Sequence, residues 1–172
     1  GLVTHFKRGT GRICLAGSSD IPPPVCPRSE TSSMKFEIPE IKKKVHEMII
    51  PIRWGDMDAF GHVNNTVYFR YMEQARVEWI TSLGYSVAPG DESMLMMNGF
   101  CNFHQQLTYP GELTLKTYIG NIGRSSLDVY TTMALTTEPD IMAAVGGATM
   151  VWVDLKTGKS IPWPDHVLSK LQ

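Results

Sequence analysis

Asp56 and Asp58, two carboxylates one residue apart, are followed by Gly61, His62 and the pair Asn64-Asn65. Loop chemistry dominates up to Asn64: acids, a glycine free of side-chain constraint, and asparagine, which suits a helix cap. From Asn65 onward Val67, Tyr68, Tyr71, Met72, Ala75, Trp79, Ile80 and Leu83 recur at three- and four-residue intervals, the period of a helix with one apolar stripe. The first turn of a helix exposes backbone N–H groups and carries partial positive charge. The stretch 54–76 therefore delivers a carboxylate and a set of polarising donors close together. Such a set can attack an electrophilic carbon, or activate water to do so, while holding the negative charge that develops on its oxygen.

Strands must position this stretch. Residues 45–54 (VHEMIIPIRW) alternate, with Met48, Ile50, Ile52 and Trp54 on one face, and Pro51 confines the strand to an edge or to its own end. Gly84 is placed to stop the helix, and Pro89-Gly90-Asp91 to turn the chain. Four further strand-like runs, 94–107, 113–119, 126–136 and 141–153, are separated by short turns, and 154–158 closes the last. Short turns predict neighbouring antiparallel strands, so the expected order is strand, long helix, then four strands in a meander. The expected class is α+β, a five-stranded antiparallel sheet wrapped around one long central helix that buries its stripe. Such a sheet leaves an edge and a face open, which predicts a homodimer.

A length of 172 residues with a 42% hydrophobic share suits one core and is short for two. A net charge of −1 without basic blocks argues against nucleic acid or an anionic membrane surface as main partner. No run approaches the ~20 apolar residues of a membrane-spanning helix. Cys14, Cys26 and Cys101 have no paired spacing and read as reduced thiols of a cytoplasmic protein. Residues 1–33, rich in Gly, Pro and Ser and holding the run Pro22, Pro23, Pro24, read as an irregular extension ahead of a single domain at 34–172 with a natural start at Met34. The basic side chains Lys7, Arg8, Arg12 and Arg28 would suit an organelle transit peptide, but the segment lacks the amphipathic stripe of one.

The run DMDAFGHVNNTVYFRYMEQAR, followed by four strands and the ending VDLKTGK, resembles the 4-hydroxybenzoyl-CoA thioesterase family of hotdog-fold acyl-CoA thioesterases, over about residues 45–165. The resemblance implies a hotdog fold and hydrolysis of a fatty or aromatic acyl-CoA. It further implies no metal, no cofactor beyond the coenzyme A of the substrate, and a homodimer that associates to a tetramer with sites between subunits. It places the catalytic carboxylate, base or nucleophile, at Asp58. The oxyanion donor falls among the amides of Val63, Asn64, Asn65 and Thr66, with Gly61 and His62 beside the substrate. Asp58 and the helix N-terminus supply what a thioester needs, a base or nucleophile on one side and fixed donors on the other. No G-x-S-x-G occurs, and Cys101 lies in a strand pattern away from any paired histidine motif, so serine and cysteine nucleophiles are not favoured.

Each residue also has a plainer reading. Asp58 suits an Asx-turn, Asp56 a structural bond to loop amides, His62 a ring that fixes the loop, and Asn64 with Asn65 a helix cap. Tyr68 and Tyr71 read as facing the core or a dimer partner. Glu73 and Arg76 lie within one turn and can pair. Arg124, with Ser125 and Ser126, follows a turn and is a candidate for holding a CoA phosphate, against the alternative of an exposed turn arginine. Lys156 and Lys159 are candidates of the same kind. The alternative functions are an acyl-acyl carrier protein thioesterase, a non-hydrolytic acyl-CoA-binding protein, or a dehydratase. A dehydratase pattern would set its acid on the helix, whereas here the acid precedes it. The methionines of 94–97 with Phe100 and Phe103 predict adaptable apolar surface and a broad acyl range.

Overall fold

The computed structural model describes residues 37–40, 42–85 and 90–171. The expectations for residues 1–33, for Met34, for Cys14 and Cys26, and for Pro89 lie outside the described residues. β1 (Lys43–Ile52) leads through one 3-10 turn (Trp54–Asp56) into α1 (Asn65–Ser82). Then follow β2 (Glu92–Phe103), β3 (Gly111–Gly120), β4 (Ser126–Leu135), β5 (Met142–Asp154), the two-residue β6 (Lys159–Ser160) and α2 (Asp165–Leu171).

Both ends of α1 are set by local hydrogen bonds. The Asn64 side chain accepts from the Thr66 N–H at 2.9 Å and the Thr66 hydroxyl at 2.7 Å. At the other end Gly84 adopts φ +83, and N–H groups of Gly84 and Tyr85 donate to the carbonyls of Thr81 (2.9 Å) and Ile80 (3.3 Å). This C-terminal cap needs the left-handed conformation that glycine adopts without strain. The apolar stripe is buried at Tyr68, Tyr71, Met72, Ala75 and Trp79. Tyr71, Met72 and Ala75 pack with Ile50, Leu113, Leu115 and Met133 in one core cluster, and Trp79 packs with Ile119, Leu127, Val129 and Met150 in a second.

The sheet is antiparallel in the order β1-β3-β4-β5-β2, with β6 paired to the end of β5. Pro51 lies in β1, which is an edge, as expected from its missing N–H. The meander is corrected: only β3, β4 and β5 follow one another, and β2 lies at the far edge against β5. The run expected to continue to Leu107 stops at Phe103, because the N–H groups of His104 and Gln105 both turn to the Ala143 carbonyl (2.9 and 3.0 Å). Leu107 is fully buried, and its carbonyl accepts from the Val63 N–H at 2.8 Å. Residues 104–110 are therefore a mostly exposed crossing between the two sides of the sheet, anchored by buried Leu107, rather than a tight hairpin turn. The single helix is corrected as well, since α2 follows β6 and buries Val167 and Leu171. Trp54 leaves the alternating face where the chain tightens into the 3-10 turn, and its side chain is 78% exposed.

Two glycines in β5 set how closely the neighbours approach. A Cβ on Gly146 would collide with Met72 Sδ and stand 2.7 Å from the Phe100 carbonyl oxygen. A Cβ on Gly147 would stand 2.7 and 2.8 Å from the rings of Phe100 and Tyr130. Gly146→Ala should therefore lower the free energy of unfolding by roughly 1–3 kcal/mol, the cost of overpacking a filled core. Denaturant melts of Gly146→Ala, Met72→Ala and the double variant should show less than additive losses, because the collision is between these two positions. Strict additivity would mean that α1 does not rest on Gly146.

Candidate active site

The loop between the 3-10 turn and α1 closes on itself. The Asp58 N–H donates to the His62 carbonyl at 2.8 Å, the Gly61 N–H to the Asp58 carbonyl at 3.1 Å, and Met57 bridges to Val63. Gly61 takes φ +78, which makes glycine the residue of least strain there.

The two aspartates divide their work. Asp56 Oδ2 accepts from the Arg53 N–H and from the Tyr71 hydroxyl, both at 2.8 Å, while its backbone carbonyl accepts from the Asn64 N–H at 2.9 Å. Burial first, and the adjacent Asp56 carboxylate next, push the Tyr71 hydroxyl far above the ordinary phenol range. Tyr71 thus stays protonated as a donor, and Asp56 is the structural carboxylate that its position suggested. Asp58 also does what the plainer reading says: its Oδ1 accepts from the Phe60 N–H at 2.8 Å in an Asx-turn. Its Oδ2 accepts from no donor among the described residues, and the side chain lines a cavity of about 700 Å³.

That cavity gathers His62, Val63, Asn64 and Asn65 from the expected set, while Gly61 and Thr66 are not among the residues that line it. The amides at the start of α1 can be accounted for one by one. Val63 N–H is taken by the Leu107 carbonyl, Asn64 N–H by the Asp56 carbonyl and Thr66 N–H by the Asn64 side chain. Asn65 N–H has no acceptor among the described residues, so of these four it is the one left to polarise a ligand oxygen.

Sequence reasoning missed His104, Gln105 and Gln106, which line the cavity together with Tyr68, read as core or dimer contact, and Phe103, read as apolar surface. Tyr68 stands edge-on to Phe103 with ring centroids 5.0 Å apart, and its hydroxyl reaches the Gln105 carbonyl at 3.5 Å. The Gln105 Oε1 is buried without a hydrogen-bond partner. The available signal was the polar run His104-Gln105-Gln106, which interrupts an otherwise apolar strand pattern.

Arg124, Ser125 and Ser126 are not brought to this cavity within one chain. β1 pairs with β3 so that Ile52 meets Gly111 and Lys43 meets Ile119. The loop thus lies at one end of the ten-residue β3 and the 120–126 turn at the other, roughly 30 Å away at ~3.3 Å per residue. There the Arg124 carbonyl accepts from the Trp163 N–H, and the Ser125 carbonyl from the Trp152 N–H. Lys156 pairs with Asp91 at 2.8 Å. The expected Glu73 and Arg76 pair is replaced by Arg70 and Glu73 at 3.7 Å. Cys101 is half-buried against the core, and burial pushes its thiol up to about 11, which keeps it from acting as a thiolate. Among the described residues no helix is long and apolar enough to cross a membrane.

A long helix laid on an antiparallel sheet, with an aspartate-bearing loop at the helix N-terminus, defines a domain of the hotdog thioesterase type. The chain belongs to the thioesterase-like superfamily, whose profile matches residues 52–171. The PA2801 protein from Pseudomonas aeruginosa is 32% identical with a TM-score of 0.72, over 76% of this chain and 100% of that one. The chloroplastic acyl-acyl carrier protein thioesterase ATL3 of Arabidopsis thaliana is 29% identical over 131 residues, covering 73% of this chain and 66% of that protein. The gentisyl-coenzyme A thioesterase BH1999, at 19% identity, shares the fold with a TM-score of 0.66 over 74% of this chain and 100% of its own. Thioester hydrolysis is the class of activity that the family supports.

Tyr71→Phe removes a donor from a charged acceptor and should cost about 1–3 kcal/mol of stability. The raised folded-state value of Tyr71 means that its contribution is complete below pH 10, the ordinary value, and is lost as pH rises toward the folded-state value. Thermal melts taken up through pH 10 should therefore fall more steeply for the native chain than for Tyr71→Phe. Parallel curves would mean that Tyr71 titrates as freely in the fold as out of it.

Proposed function

We propose that the protein hydrolyses an acyl-CoA thioester to the free acid and coenzyme A. The observation that carries this reading is one cavity lined by both Asp58 and Asn65, the former with a carboxylate oxygen that has no donor and the latter with an N–H that has no acceptor among the described residues, in a chain of the thioesterase-like superfamily. Asp58 acts either as the base that takes a proton from an attacking water or as the nucleophile itself. The charge that forms on the carbonyl oxygen is held by the Asn65 N–H at the positive end of α1. The carbon–sulfur bond then breaks, and the CoA thiolate leaves and takes a proton. If Asp58 is the nucleophile, water afterwards cleaves the mixed anhydride. The Asx-turn bond to Phe60 fixes the carboxylate for either role. These steps use no metal and no cofactor beyond the coenzyme A of the substrate.

The sheet edges support a homodimer joined at β2. β1 carries Pro51 and the exposed Lys43 and Lys44, which discourage strand addition, whereas β2 exposes Leu95, Met96 and Met97. Pairing of such dimers would give the tetramer. A site shared between copies is also what the separation of Arg124 from Asp58 requires, if Arg124 with Ser125 and Ser126 is to hold a CoA phosphate. The likeness to ATL3 supports an acyl carrier protein as the second candidate carrier.

Asp58→Asn should lower turnover by about a hundredfold or more with the melting temperature unchanged. The readout is free-thiol release from aliphatic acyl-CoAs of graded length and from aromatic ones, and near-native release would remove Asp58 from catalysis. Asp56→Asn should act mainly through stability. Arg124→Ala should raise KM for an acyl-CoA and leave the matching acyl-pantetheine, which lacks the nucleotide phosphates, unaffected. Equal effects on both would take Arg124 away from the phosphate, and preference for acyl carrier protein over every acyl-CoA would reverse the choice of carrier.

A further inference from the structure

A second cavity, of about 610 Å³, lies between the C-terminal half of α1, β2, β5 and α2. Its size is that of a small-molecule site. Trp79, Leu83, Met94, Met150, Trp163 and Leu171 make its walls apolar. Arg76 borders it, about 16 Å along α1 from the Asn65 N–H at 1.5 Å per residue.

Arg76 is a cation short of an oxygen. Its hydrogen-bond partner among the described residues is the Met96 sulfur at 3.6 Å, a weak acceptor. The two acids on the same cavity are engaged elsewhere: Glu73 with Arg70 at 3.7 Å, and Glu92 with the Trp152 indole N–H at 2.9 Å. Burial lowers the Arg76 pKa against the raising influence of Glu73. A half-buried guanidinium beside an apolar wall gains when an oxygen acceptor reaches it, and its planar fork matches the two oxygens of a carboxylate. A second copy added along β2 would bring, from that strand, only Glu92 as an acid.

We propose that this cavity binds a single-chain amphiphilic carboxylate of the fatty-acid type. The hydrocarbon lies along the tryptophan and methionine walls, and Arg76 takes the carboxylate through both nitrogens of its fork. The site is separate from Asp58 of the same chain and stands whether or not that residue hydrolyses thioesters.

Titration of the full chain with dodecanoate, followed by tryptophan fluorescence and calorimetry, tests it without any turnover. Saturable binding is expected, with dodecanol weaker and dodecylammonium weaker still. Arg76→Gln should weaken dodecanoate by roughly tenfold or more, the scale of a lost charge-assisted hydrogen bond, and leave dodecanol and the sedimentation mass unchanged. Arg76→Lys should fall between the two, since it keeps the charge and loses the fork. No saturable binding of dodecanoate, equal binding by the native chain and Arg76→Gln, or loss of the oligomer in Arg76→Gln would each overturn the proposal. The last result would assign the Arg76 acceptor to a second copy.

Discussion

The carboxylate of Asp56, held between the Tyr71 hydroxyl and the Arg53 N–H, fastens the loop to the helix, and the candidate site depends on that tie. Both bonds end on a charged acceptor, which makes them stronger than neutral ones. One joins the loop to the second turn of α1, and the Asp56 carbonyl adds a third link to Asn64. With the loop fastened on that side, Val63 can spend its N–H on Leu107 from the far side of the cavity, and Asn64 can spend its side chain on Thr66. Of the amides of Val63, Asn64, Asn65 and Thr66, the one left without an acceptor among the described residues belongs to Asn65, which lines the same cavity as Asp58. The acid that fastens the loop, Asp56, is thus a different one from the acid proposed to act in the site, Asp58.

α1 spans two environments. Its first half carries the polar loop on one side and packs Tyr71, Met72 and Ala75 into the core on the other. Its second half lies over a separate apolar cluster around Trp79 and Trp163, with Arg76 at the border. Gly146 lets the helix approach the sheet at Met72, and Gly147 lets Phe100 and Tyr130 close over the opposite face of β5. Close packing in the middle therefore leaves open volume toward each end of the helix.

What could be read from the chain was decided locally. The stripe of α1 was legible because burial repeats at the helix period, and the Asn64 and Gly84 caps because each satisfies backbone groups a few residues away. The bond of Asp56 to a loop amide and the Asx-turn of Asp58 followed from their places in the loop. The position of β2 was not legible, since an alternating strand carries no mark of its neighbour, and the deciding bonds from His104 and Gln105 end on Ala143, far along the chain. The same holds for the amide inventory, which turns on the Leu107 carbonyl. α2 is too short to show a helical period, and its seven residues follow a proline-bearing run. Arg76 had an acid within one turn and so looked paired, but Glu73 turns to Arg70 instead.

In the proposed reaction a thioester carbonyl oxygen sits on the Asn65 N–H beside Asp58. Amide resonances of the protein, followed while a non-hydrolysable acyl-CoA ketone with methylene in place of sulfur is titrated in, test it most directly. A downfield shift is expected at the Asn65 N–H as it gains its acceptor, with Val63, Asn64 and Thr66 moving far less because each already has one. A saturated complex in which Asn65 does not move, or in which Val63 or Thr66 moves most, would contradict it.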